Sequence, residues 1–169
     1  MPQPEKVAAR LAVQVVVTVV QFHHPRAREL QRAIELGFAQ LTDEENERPE
    51  WKRVRSAYSV FARELSHHMK EEEQLVLDPV QFLMVRERLT FGALRDLRYG
   101  FEALMQEHDK HWVLRHRLEL ELTNSASRHE REGVLAVRGL LRKYVIAFAE
   151  HHEFEQYALL PTLRPFLEG

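Results

Sequence analysis

Four long segments of this chain repeat apolar residues on a seven-residue rhythm, which restricts it to helices packed side by side. The segments cover about residues 5–41, 50–77, 93–122 and 127–160. The first carries Val13, Val16, Val20, His23, Ala27, Leu30, Ile34, Phe38 and Leu41 on one stripe, and the second Val54, Tyr58, Phe61, Leu65, His68, Glu72 and Leu75. The third places Leu97, Phe101, Leu104, His108, His111 and Leu118 together, and the fourth Val137, Leu141, Tyr144, Phe148, His151 and Glu155. Pro25 is expected to kink or restart the first helix. Residues 42–49 (TDEENERP) read as a polar loop, Asp78-Pro79 as the end of the second helix, and residues 80–88 as a short connecting helix. Asn124-Ser125 breaks the chain again, and Pro161 is expected to stop the fourth helix. No strand pattern interrupts these segments. Short connections between long helices favour antiparallel neighbours, so the predicted fold is all-α: a single domain, 1–169, built as an up-down four-helix bundle.

Composition removes several classes of function. With no cysteine, thiolate metal sites, disulfides and cysteine nucleophiles are excluded, so any metal must be held by nitrogen and oxygen. A net charge of −2 gives no electrostatic footprint for nucleic acid. The apolar run at residues 11–20 (LAVQVVVTVV) is shorter than the roughly 20 residues a membrane helix needs. No small-residue cleavage site follows it, so a cytoplasmic protein with a buried first helix is expected.

Histidine is the outlier. Of ten histidines, eight fall in four clusters: His23 with His24, His67 with His68, His108 with His111, and His151 with His152. His23, His68, His108 and His151 continue the apolar stripes of their helices. A buried imidazole needs partners for its ring nitrogens. One such histidine is usually satisfied by a carbonyl or water; four, one per helix, point to a shared ligand. Glu72 and Glu155 each follow a stripe histidine by four residues, which puts carboxylate and imidazole on one helix face. Buried carboxylates are costly unless paired or metal-bound. Six inward ligands of this kind suit two adjacent ions bridged by the glutamates, with iron, manganese or zinc as candidates. His24 takes the place of His23 if Pro25 turns the local face, and His111 is either a fifth nitrogen ligand or a supporting donor. His67 and His152 point about 100° away from the ligand face and read as boundary residues. His116 and His129 are expected at the surface, Glu71, Glu73 and Glu153 as solvated charge, and Tyr58 and Tyr144 as packing residues.

At these positions the chain resembles the hemerythrin-like (HHE cation-binding) family, and within it the iron–sulfur repair di-iron proteins. The resemblance rests on Phe22-His23, on the run from His68 to Gln74 (HMKEEEQ), on Glu107-His108-Asp109, and on the run from His151 to Pro161 (HHEFEQYALLP). It implies a hemerythrin-like bundle holding two non-haem iron ions with an oxo or hydroxo bridge. The ligands carried over by motif are His23, His68, Glu72, His108, His151 and Glu155. Where the family stops its second helix with Leu-Phe-Pro, this chain delays the proline to Pro79. The repair proteins also carry a cysteine-bearing segment that has no counterpart here.

The resemblance implies a protein that binds or reacts with O2, NO or peroxide, or that stores or delivers iron or repairs iron–sulfur centres. A small apolar pocket walled by Phe61, Leu65, Leu104 and Phe148 is expected to favour such uncharged ligands. An iron or redox sensor acting through a partner surface is the runner-up. A structural or interaction bundle with a vestigial site is the reading from another class.

Overall fold

The computed structural model describes residues 4–77, 80, 91–126 and 131–168. These form helices α1 (Pro4–Thr18), α2 (His24–Gln40), α3 (Asp43–Glu47), α4 (Pro49–Glu72), α5 (Phe91–Asn124), α6 (Glu132–Phe154) and α7 (Leu160–Glu168). Three single wide turns join or extend them: π1 (Val19–His23), π2 (Glu73–Leu77) and π3 (Glu155–Leu159). Helices α1 and α2 run through π1 as one rod, α4 continues into π2, and α6 continues through π3 into α7. The result is an all-α structure of four long rods and one short helix, with no strand among the described residues. The closest packing is of α4 along α5 and of α2 along α6.

Among the described residues, two apolar clusters fill the interior. The first holds Ile34, Phe38, Val54, Phe61, Leu65, Leu118, Leu141, Tyr144 and Phe148. The second holds Val16, Val19, Val76, Leu97, Leu104, Leu159 and Leu163. Phe61, Leu65, Leu141 and Phe148 are almost wholly buried, each contributing roughly 1.5–3 kcal/mol. Each rod passes from one cluster to the other, and the histidines and glutamates of interest lie at the crossing.

The wide turns change the expected helix phase. The His24 amide donates to the carbonyl of Val19, five residues back, so the turn holds one residue more than an α-turn. The buried stripe therefore runs Val16, Val19, His24, Ala27, Ile34, Phe38. A stripe through Val20, His23 and Leu30 is thus corrected: Val20 and Leu30 are only partly buried, and His24 replaces His23 inside. The Leu160 amide likewise reaches Glu155. Pro25 and Pro161 each sit one residue beyond such a bond. A widened turn removes both problems a proline poses, the missing donor and the clash with the preceding turn. Hence Pro161 does not stop the last rod, which continues through α7.

Residues 43–47, expected as loop, form a helical turn. Thr42 Oγ1 accepts from the Glu45 amide and the Glu45 carboxylate accepts from the Thr42 amide, a reciprocal cap. Three acidic residues in the first turn also favour it. Gly100 is required where α5 meets π2, because a Cβ there would lie 2.7 Å from Leu75 Cβ and 3.0 Å from its carbonyl oxygen. The breaks at Asp78-Pro79 and the connecting helix over 80–88 fall outside the described residues, apart from helical, buried Val80. No described helix is long and apolar enough to cross a membrane.

Candidate metal centre

The polar groups at the crossing come from every long rod. His24 opens α2, His68 and Glu72 lie on α4, His108 and His111 on α5, His151 and His152 on α6, and Glu155 opens π3. All eight are buried. Each wide turn directly adjoins one of them: π1 precedes His24, π2 follows Glu72, and π3 begins at Glu155. Such turns are often found where a helix must aim a functional side chain.

Glu72 and Glu155 occupy the middle. His24 Nε2 lies 2.9 Å from Glu72 Oε2, and His151 Nε2 lies 3.7 Å from the same oxygen. His151 Nε2 is also 3.6 Å from Glu155 Oε1, which His68 Nε2 approaches to 3.4 Å. His108 Nε2 stands 3.6 Å from Glu155 Oε2. The His111 ring is 4.7 Å from that of His68. Donor atoms of His68, Glu72, His151 and Glu155 all lie within 4.8 Å of one another, so this buried group could hold a metal ion.

The donor atoms themselves test the fit. Glu72 Oε1, Glu155 Oε2, His108 Nε2, His111 Nδ1 and both ring nitrogens of His151 and His152 are buried without a hydrogen-bond partner. Each such atom costs about 1–3 kcal/mol when left unsatisfied, and those of Glu72, Glu155, His108 and His151 lie close enough together for a common ligand to satisfy them. The donor set, imidazole nitrogen with carboxylate oxygen and no thiolate, suits a first-row divalent ion.

Electrostatics point the same way. Burial lowers the pKa of His111 to about 4, of His151 to about 3 and of His152 to about 4. These rings are therefore neutral at neutral pH, the form that offers a lone pair. Burial, and then the charge of Glu155, push Glu72 up to about 7. Burial also acts to raise Glu155, but His151, His108 and His68 outweigh it and hold its carboxyl well below the usual range. Two carboxylates confined together repel, and a cation between them relieves that repulsion.

Two further carboxylates orient the imidazoles. His24 Nδ1 donates to Glu73 Oε1 at 2.7 Å, which leaves Nε2 facing Glu72. Arg28 Nη2 donates to the same Glu73 oxygen at 2.7 Å. His68 Nδ1 donates to Glu107 Oε2 at 3.0 Å, which turns Nε2 toward Glu155. Carboxylates behind ligand histidines commonly fix the tautomer and ring orientation. Despite burial, Glu107 and Glu155 raise the pKa of His68 to about 10, and Glu72 and Glu73 raise that of His24.

Of the residues singled out in the sequence, His24, His68, Glu72, His108, His111, His151 and Glu155 meet at this crossing. His23 stands at its edge, half-buried, its ring 5.5 Å from that of His151 and 4.9 Å from that of Phe154. Glu73 is not a solvated charge but the partner of His24. His152 is not a boundary residue: it is buried with its ring 4.0 Å from that of His108 and 5.3 Å from Trp112. The doubled histidine at 151–152 was its only sequence signal. Glu107 was legible only as part of a motif, because its partner lies on another helix. Tyr58 and Tyr144 pack in the first apolar cluster, His116 and Glu153 are exposed, and His129 lies outside the described residues. No protein-family model, curated protein or solved structure matches the chain.

Proposed function

We propose that this chain is a hemerythrin-like non-haem di-iron protein that binds or reacts with O2, NO or peroxide. The observation that carries the reading is the set of unsatisfied buried nitrogens and oxygens around Glu72 and Glu155. His24, His68, His108, His111 and His151 would hold the iron with these two glutamates, giving five nitrogen donors and two carboxylates. The alternation of the rods between the two apolar clusters supports an antiparallel up-down arrangement, since successive rods meet them in opposite order. When bound, an iron pair supplies one-electron redox chemistry and a position for a small ligand. The protein's own part is to aim His24 and His68 through Glu73 and Glu107, to keep His111 and His151 neutral by burial, and to exclude water with Phe61, Leu65, Leu104 and Phe148, all buried in the adjoining clusters. A vestigial site fits less well, because an empty crossing leaves every one of those buried groups uncompensated.

Protein prepared from iron-rich medium is expected to carry about two iron ions per chain, as in carboxylate-bridged bundles. Elemental analysis against protein concentration checks this. One tightly bound ion, or none after reconstitution, overturns the dinuclear reading. The reduced, iron-loaded protein is further expected to change its near-ultraviolet and visible absorption on exposure to O2, H2O2 or NO, without any protein thiol. A loaded protein inert to all three would remove the gas and peroxide reading and leave storage or sensing.

A further inference from the structure

The buried centre poses a problem of access. An apolar cluster lies on either side of it along the bundle, and a dication does not cross hydrocarbon without losing hydration worth many kcal/mol. A loading route must therefore offer a ligand at each step. The side chains present one such series, from α4 and α5. His67, Glu71 and Glu107 form a first group whose donor atoms lie within 4.8 Å of one another, and His68, Glu107 and His111 form a second of the same size. The second shares His68 with the group of His68, Glu72, His151 and Glu155. Side-chain exposure falls along the series from 62% at His67 to 38% at Glu71, 27% at Glu107 and 1% at His68.

From this succession we infer that His67, Glu71 and Glu107 form an outer divalent-cation site that loads the buried centre, with Glu107 passing the ion inward to His68 and His111. The inference rests on the metal-centre reading above. Alone, His67 and Glu71 are a helix-surface pair four residues apart, with His67 Nδ1 3.3 Å from Glu71 Oε2, and such pairs contribute little. Two observations set this one apart. Glu107 comes from another helix and also belongs to the inner group. His111, 1% exposed, belongs to that same inner group and has an Nδ1 without a hydrogen-bond partner. The outer site is open and keeps a carboxylate pair, so it suits a hydrated Fe2+ or Mn2+ held weakly and released inward.

The test uses the full-length chain stripped with chelator, in wild-type form and as the double variant H67A/E71A. Both changed residues are off the buried stripe, and circular dichroism checks that the variant keeps its helices. Titration with Mn2+, followed by electron paramagnetic resonance, should show a weak manganese site in the wild type that the variant lacks. Fe2+ uptake, followed by stopped-flow absorbance, should be about tenfold or more slower in the variant, because a focusing site on the route is gone. Final iron content should be equal. A control, H116A/E29A, removes one histidine and one acidic residue elsewhere on the surface and should load at the wild-type rate. Equal uptake rates for wild type and H67A/E71A, or a weak manganese site retained in the variant, would overturn the proposal. So would an equal slowing in the control, which would reduce the effect to general surface charge. If wild-type protein takes up no iron at all, the reading of the centre fails instead. The manganese titration then decides the outer site alone.

Discussion

Replacing Glu72 with alanine is expected to remove at least one of the two metal ions proposed for each chain, and Glu155→Ala to do the same. These two carboxylates are where the imidazoles converge: His24 and His151 approach Glu72, and His68, His108 and His151 approach Glu155. Loss of an outer orienting partner typically weakens a site by about 10- to 100-fold. Removing a central carboxylate should exceed that range, because it also takes away negative charge that would hold the cations. Iron content after desalting, measured beside Glu153→Ala, checks the expectation. Glu153 is exposed on the same helix and its loss should leave the content unchanged. An equal loss in the two kinds of variant would show that the phase of α6 at the site is misread.

His24→Ala is expected to cost metal, and His23→Ala to cost much less. His24 is fully buried, with one ring nitrogen on Glu72 and the other on Glu73. Its removal deletes a donor and leaves Glu73 to Arg28 alone. His23 faces the rim, against Phe22, Phe154 and the edge of His151. Iron affinity in competition with a chelator should fall at least about 10-fold for His24→Ala. The opposite order would mean that the wide turn at 19–23 does not set the phase of the helix when metal is bound.

The pair of neighbouring histidines shows where reading by periodicity stops. Along α4, α5 and α6 the spacing is regular up to the site. There the apolar rhythm alone places His68, Glu72, His108, His151 and Glu155 inward, and all are buried. Along the first rod the same rhythm selects His23, because it assumes the 3.6-residue period throughout. One additional residue in the turn advances everything beyond it by about 100°. Its sequence trace is slight, a proline directly after His24 and another directly after Leu160, and a proline is equally consistent with a kink or a stop.

What the sequence by itself determined is the class of architecture and the chemistry of the donors. Four amphipathic segments must bury their stripes against one another, and a chain without cysteine can meet a metal only with nitrogen and oxygen. Periodicity is a local property, so it survives being read one segment at a time. Only the tertiary structure decided which of two adjacent histidines turns inward, that Glu73 and Glu107 support His24 and His68, and that His152 is buried beside His108. Each of these depends on a partner from another rod. An extra residue in a turn, or a glutamate one position off the stripe, has no preferred role within its own helix. Contacts between helices, in the low-dielectric interior where an unpaired polar group is costly, assign that role.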